Sequence, residues 1–307
     1  MEALKRRKFL QSSIALIGLP ATIFSGRKAY AGEFNIEKHN RFKISLNAYS
    51  FNTPLRSGKI NLESVVEFCA EQGLDAVDVT GYYFPGYPEV PSDEYIFKLK
   101  RKAHQLGIAI SGTGIRNNFT LADKTARIRE VTLVKSWIEV AAKLNAPVIR
   151  IFAGNSVPEG YSWEAVAAWI TEDIKTCVEY GKKRGVIVAL QNHNDFIKTA
   201  DQVIDIIKKV NSEWFGLVLD TGSFVTNEPY NEIAKAVPYA VNWQIKEKLN
   251  YNGKNENMDL LKLFRIIQAS SYRGYLPIET LGAGDPFLII PPFLKQVREA
   301  MEKTSKG

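Results

Sequence analysis

The stretch VIVALQNHND, Val186 to Asp195, changes character within one residue: an apolar, largely β-branched run ends at Leu190, and Gln191, Asn192, His193, Asn194 and Asp195 follow. A short β-branched run reads as a buried strand and the polar cluster as the loop at its carboxyl end. Three later segments repeat the change: GLVLDTGS around Asp220, VNWQIKE around Gln244 and LPIETLG around Glu279. In α/β barrels the chemistry sits at the carboxyl ends of parallel strands, so these four ends outline one oxygen-rich pocket.

Working outward, strand-like runs recur as ISLNAY from Ile44, AVDVTG from Ala76, GIAISG from Gly107 and VIRIFAG from Val148, ahead of the four already named. The intervals leave room for a loop, a helix and a return each time. Helix-period segments fill them, with Asn61, Ser92 and Asp123 as N-caps and Gly73, Gly107 and Gly185 as C-terminal stops. No Pro-, Gly- or Ser-rich linker divides the chain, and no GxGxxG follows the first strand to favour a dinucleotide-binding sheet. The expected fold is therefore α/β, one (β/α)8 TIM barrel over residues 32–307.

Residues 1–31 read differently. Lys5-Arg6-Arg7-Lys8 opens a twin-arginine start, a modest apolar run follows from Ser12 to Phe24, and Ala29-Tyr30-Ala31 offers a small-x-small cleavage site. The run is too short to span a bilayer, so we expect a cleaved export signal and a periplasmic mature protein with no membrane span. The competing reading is a short amphipathic leader on a cytosolic chain. The leader holds six of the 40 Lys and Arg and one of the 33 Asp and Glu, leaving 34 against 32. That balance gives no case for nucleic acid. Cys69 and Cys177 both sit at helix-period apolar positions and read as small core residues rather than a disulfide.

The order and spacing of the last four motifs resemble the xylose isomerase-like barrels, a superfamily of sugar isomerases and epimerases that also includes endonuclease IV-type enzymes. The resemblance implies a divalent metal held by Glu, Asp, His and Glu from strands five to eight. The matching positions here are Gln191, Asp220, Gln244 and Glu279. Two expected ligands have thus become amides, which coordinate a hard cation but bring no charge and cannot serve as bases. The expected cofactor is Mn or Mg. A competing reading has Gln191 and Gln244 hydrogen-bonding the two carboxylates in a metal-free polar cluster.

In related epimerases the glutamates of strands five and eight act as paired bases, and Gln191 removes one of that pair. A single base, Glu279 or the neighbouring Lys246 or Glu247, suits abstraction of one proton beside a carbonyl with loss of a leaving group, or addition of water in reverse. Period-two alternation from Gln244 puts Lys246 on the inward face, whereas Lys-Glu-Lys is otherwise a solvated rim. His193 reads equally as an acid or base of the pocket and as a neutral imidazole held within its own loop. Expected substrate contacts are Asn47 ending the first strand, Tyr82 and Tyr83 after the second, Arg116 and Asn118 after the third, Arg150 within the fourth and Asn192 after the fifth, since aromatic faces stack on sugar rings while Asn and Arg bind hydroxyls. Phe84, Tyr87 and Asn117 belong to the same loops.

No phosphate-gripping glycine loop ends the last two strands, Gly282-Ala283-Gly284 being a weak match. With export, which removes the chain from most phosphosugars, this favours an unphosphorylated sugar or glycoside. The reading that follows is a lyase or hydratase on 3-keto-glycosides or their 2-hydroxyglycal products, with a sugar 3-oxidoreductase as the expected supplier. A ketose/aldose isomerase or epimerase is the alternative, and a non-catalytic sugar-binding barrel the second. DNA repair is disfavoured by three histidines in the whole chain.

Overall fold

The eight strand-like runs named above each form a strand whose side chains are largely buried on both faces. In the computed structural model, which describes residues 42–305, the strands are β1 (Lys43–Asn47), β2 (Ala76–Thr80), β3 (Ala109–Gly114), β4 (Val148–Ile151), β5 (Ile187–Gln191), β6 (Phe215–Asp220) and β7 (Ala240–Lys246). A hairpin of β8 (Lys248–Tyr251) and β9 (Lys254–Asn257) precedes β10 (Tyr275–Glu279). The eight long-range strands close in the order β1-β10-β7-β6-β5-β4-β3-β2, every pairing parallel. This is the eight-stranded barrel expected from the spacing. The export signal expected over residues 1–31, and His39, lie outside the described residues.

The helices start and stop where the side chains dictate. Asn61 accepts from Ser64 N at 2.9 Å ahead of α2 (Leu62–Glu71), after the short α1 (Asn52–Arg56). Ser92 and Asp123 cap α3 (Asp93–Gln105) and α4 (Lys124–Leu144) in the same way, meeting backbone N–H groups that no helical carbonyl reaches. Gly185 ends α5 (Trp163–Arg184) at φ 68, the left-handed conformation that a side chain disfavours. Between β5 and β6, Thr199 and Gln202 form a reciprocal capping box for α6 (Ala200–Val210), a signal carried by the sequence itself.

The apolar outer face of the barrel packs under these helices, with Trp137, Trp243, Phe264 and Leu62 fully buried. Cys69 and Cys177 are free thiols inside this layer, as expected; burial pushes the Cys177 thiol up to about 12 and raises Cys69 as well. Inside the barrel a separate apolar plug of Val148, Ala189 and Val218, flanked by Ile187 and Val241, fills the floor. Two residues further along their strands stand Arg150, Gln191 and Asp220, so period-two alternation lifts each strand from an apolar floor to a polar mouth. Among the described residues no helix is long and apolar enough to cross a membrane.

One element was not anticipated. The β8–β9 hairpin turns through Asn252 (φ 50) and Gly253 (φ 78), both left-handed, with Tyr251 opposite Lys254. Asn-Gly between two strands is the expected two-residue turn for such a hairpin. Its polar flanks mask it; Lys246 ends β7 on the inward face that alternation predicts, and the hairpin starts two residues later at Lys248.

Candidate functional site

Register places the four motif residues together. Asp220 on β6 lies opposite Gln244 on β7, and Glu279 on β10 opposite Lys246 on β7. Their side chains form one buried chain of hydrogen bonds. Gln191 Nε2 donates to Asp220 Oδ2 at 2.7 Å and to Gln244 Oε1 at 2.5 Å, and Gln244 Nε2 donates to Glu279 Oε2 at 2.7 Å. The Lys246 ammonium donates to Glu279 Oε1 and stands 3.5 Å from Asp220 Oδ2. Gly222 N covers the remaining oxygen, Asp220 Oδ1, at 3.0 Å. Burial alone would lower Lys246, but the attraction of Asp220 and Glu279 outweighs it and holds the ammonium above its ordinary range.

The backbone around this cluster is locked by its own polar side chains. Asn192 grips the Asp220 peptide at both ends, donating to its carbonyl and accepting from its N–H at 2.9 Å each. Thr221 Oγ1 accepts from Lys246 N at 3.0 Å and donates to Gln244 O at 3.2 Å. Glycine at 222 is required by the lysine: a Cβ there would meet Lys246 Cγ at 2.9 Å and Lys248 O at 2.8 Å. Gly114 plays the same part for Arg150, whose Nε would lie 2.7 Å from an added Cβ.

Two recesses open above the cluster and share His193, Lys246 and Leu281. The narrower, of 190 Å³, is lined by Tyr49, Tyr82, Arg116, Arg150, Phe152 and Gln191, and reaches Glu279. The wider, of 390 Å³, runs past Asp220, Ser223 and Glu247 to Asn255 on the hairpin. Arg150 lies over the Tyr82 ring at 5.4 Å and the Phe152 ring at 4.3 Å, and donates to Tyr82 Oη at 2.9 Å and Ile115 O at 2.5 Å. Burial opposes its charge, and Tyr82, Asp78 and Glu279 more than offset that. Asp78, buried on β2, goes the other way: burial pushes its carboxyl up to about 6, with Glu279 adding to the rise and Arg150 working against it. His193 stands at the junction, its Nδ1 paired with Asp195 Oδ2 at 2.8 Å and its ring 5.0 Å from Phe152, edge-on.

Several expected contacts are absent from both recesses. Asn47 Oδ1 accepts from Tyr49 N and Thr80 Oγ1 and so caps a turn. Tyr83 donates to Asn52 Oδ1 at 2.9 Å. Asn118 Oδ1 is held by Thr120 through its N–H and hydroxyl, and Asn192 clamps Asp220. Phe84 and Tyr87 pack against Trp137 instead. These side chains are polar or aromatic in loops beside the site but their partners are backbone and neighbours, which composition does not reveal. Glu247 lines the wider recess away from the ion-pair cluster, its carboxylate accepting from Leu281 N at 3.2 Å. Tyr49, Phe152 and Asp195 also line the narrower recess, and of these only Asp195 belongs to a motif read from the sequence. Each lies within two positions of a residue already singled out, Asn47, Arg150 and His193, at the carboxyl end of a strand.

Do these residues fit a divalent metal? Mg and Mn require oxygen lone pairs converging on one point. Here each of the four carboxylate oxygens of Asp220 and Glu279 faces an N–H donor, both amides turn their NH2 groups toward the carboxylates, and an ammonium already sits against both anions. Among the described residues no three His, Cys, Asp or Glu side chains gather as a metal-holding group. The arrangement does not fit the expected Mn or Mg. The side chains make the hydrogen bonds that the competing reading described, together with one group that reading omitted, Lys246. Among the buried side-chain atoms without a hydrogen-bond partner is Gln191 Oε1.

The sequence matches the family model described as "Xylose isomerase-like TIM barrel" over residues 66–305. No curated protein matches it. Among solved structures it is similar to a xylose isomerase domain protein from Planctomyces limnophilus (15% identity, TM-score 0.67, covering 87% of this chain and 99% of that one). It is also similar to an L-ribulose 3-epimerase (16%, 0.69, 86% and 96%), and to a 3-keto-D-glucoside 4-epimerase from E. coli (13%, 0.66, 84% and 99%). At these identities the likeness is one of fold.

Proposed function

Because the chain belongs to the xylose isomerase-like TIM barrel family, we propose that it is an enzyme that removes a proton beside the carbonyl of an unphosphorylated sugar. The observation that carries this reading is the buried Lys246–Glu279 pair at the meeting of the two recesses: a carboxylate base beside a fixed cation is what enolate formation needs. The narrower recess, with its aromatic faces and two guanidiniums, suits a sugar ring. The wider one suits the group attached to it, which favours a glycoside over a free ketose.

On a 3-keto-glycoside, Glu279 takes the C2 proton, and the C–H electron pair moves onto the C3 oxygen. The pair returns to form C1=C2 as the C1–O bond breaks, and the aglycone oxygen gains a proton at the His193 side. The products are a 2-hydroxy-3-keto-glycal and the aglycone, and water addition is the same path reversed. His193 is suited to the proton step because Asp195 holds Nδ1 and leaves Nε2 for exchange.

One observation favours the epimerase alternative: of the candidates to replace the missing second base, Lys246 is held as a cation and Glu247 is tied to Leu281, but His193 faces both recesses. The fold shared with a 3-keto-D-glucoside 4-epimerase is compatible with either reaction. We further propose that residues 1–31 direct export to the periplasm, where an oxidoreductase acting on the sugar C3 hydroxyl supplies the ketone.

Proton NMR in D2O with a 3-keto-glucoside and, separately, a free ketose tests the proposal. Loss of the C2 proton with aglycone release is expected, and Glu279→Gln should slow it by about 10²–10⁴-fold. Deuterium uptake without aglycone release would select the epimerase, and binding without any exchange would make the barrel a sugar-binding protein.

A further inference from the structure

The family resemblance anticipates a divalent cation between the ends of strands five to eight, and the side chains present there do not offer one a place. Two negative charges, Asp220 and Glu279, are 0 % and 2 % exposed. A pair of carboxylates so deep requires a counter-charge. Lys246 provides it, reaching from two residues beyond Gln244 on the same inward face, with its ammonium against Glu279 Oε1 and 3.5 Å from Asp220 Oδ2. The two amides complete the arrangement. A glutamate at 191 would add a third anion beside one ammonium, whereas Gln191 donates to Asp220 and to Gln244, and Gln244 passes a donor on to Glu279. The amides and the lysine therefore answer one another: each is the residue that a cluster without a metal needs.

We infer that the Lys246 ammonium is the resident cation of this site, taking the position and electrostatic role of a divalent metal, so that the protein works without one. An ammonium has three N–H groups. Two face Glu279 and Asp220, and Lys246 lines both recesses, so the third is available to the oxygen of a bound carbonyl. Gln191 is on the wall of the narrower recess, and its Oε1, buried and unpartnered in the free protein, becomes the acceptor for a neighbouring hydroxyl when a ligand displaces the contacts that cover it. The ligand this pair recognises is a carbonyl next to a hydroxyl-bearing carbon, held by two hydrogen bonds rather than by chelation. Glycine at 222 belongs to the same device, since any side chain there collides with the lysine stem. The role of the third N–H rests on the keto-sugar reading above; the assignment of the cation does not.

The test is a Mn titration of the chelator-treated protein, following free Mn by electron paramagnetic resonance and the unfolding midpoint by calorimetry, neither of which requires turnover. The wild type is expected to take up no stoichiometric Mn at millimolar concentrations and to unfold at the same temperature with Mn or with EDTA. Lys246→Met, which uncovers both carboxylates, is expected to bind Mn at least ten-fold more tightly than the wild type and to be stabilised by it. Lys246→Gln serves the same purpose should the methionine variant not fold. One equivalent of Mn held by the wild type, with a rise in its midpoint, overturns the inference. Failure of both folded variants to gain any affinity for Mn overturns the claim that Lys246 stands in the cation position. If a substrate is in hand, exchange in D2O that persists in EDTA supports the inference, and loss of exchange restored by Mn overturns it; no exchange with any keto-sugar bears on the proposed reaction and leaves the titration to decide the cation.

Discussion

Lys246 and Arg150 are two buried cations in one barrel mouth, and they are handled in opposite ways. Lys246 stands against two carboxylates that attract it more strongly than burial repels it. Arg150 hydrogen-bonds to neutral acceptors, a phenol and a peptide carbonyl, and lies over the Tyr82 and Phe152 rings, with Asp78 and Glu279 attracting it from beyond ion-pair distance. The lysine's charge is largely neutralised where it stands. The arginine's planar, delocalised charge tolerates an aromatic shell and stays directed at the narrower recess. The difference teaches that the β5–β10 side of the mouth is built to hold charge in balance and the β2–β4 side to present it.

Breaking the balanced side should have the largest effect. Lys246→Met leaves two buried carboxylates facing each other, and urea unfolding at neutral pH should show a loss of about 3–5 kcal/mol. A loss below about 1 kcal/mol would mean that the carboxylates are balanced by something else.

Asp78 sharpens the other side. An ordinary Asp in the unfolded chain titrates near 3.8, and in the folded chain Asp78 is raised to about 6. The folded chain therefore binds the proton more tightly, and stability falls as pH rises between those two values and stays lower above them. Asp78→Asn removes that dependence. Its unfolding free energy should exceed the wild type's by an amount on the order of 3 kcal/mol at pH 7.5, closing toward zero below about pH 4. Equal stabilities at both pH values would show that Arg150 fully compensates the Asp78 carboxylate.

Two smaller changes probe Arg150 directly. Arg150→Lys keeps the charge but loses the planar stack and the forked donors, and should raise KM for the sugar about ten-fold, roughly 1.4 kcal/mol, with a loss of about 1 kcal/mol in unfolding. Tyr82→Phe removes one hydrogen bond to Nη1, and should cost about 0.5–1.5 kcal/mol of stability. If Arg150→Lys destabilises the fold more than it weakens substrate binding, the arginine is a structural brace and the contrast with Lys246 fails.

The barrel was legible because its signals are local. VIVALQ, GLVLD, VNWQIK and LPIET are apolar runs with polar ends, and Asn61, Ser92 and Asp123 cap helices through their own next residues. Gln191, Asp220, Gln244 and Glu279 were legible as a group for the same reason: each ends a strand, and strand ends converge in a barrel. The roles of Asn47, Asn118 and Tyr83 were not. Polar and aromatic side chains beside a mouth bind either a ligand or their own loop, and only the folded structure turns Asn118 to Thr120 and Tyr83 to Asn52. The β8–β9 hairpin was carried by Asn252-Gly253, a local signal hidden in a polar stretch.

By itself the sequence determined the eight-fold alternation, the caps, the core positions of Cys69 and Cys177 and the four strand ends that meet, since period and capping depend on neighbours a few residues apart. Tertiary structure alone decided what the four ends do when they meet. Whether two carboxylates and two amides turn lone pairs or N–H groups toward one another depends on the charge beside them. That charge comes from Lys246, which register sets opposite Glu279 and which Gly222, from the loop after β6, gives room to reach in.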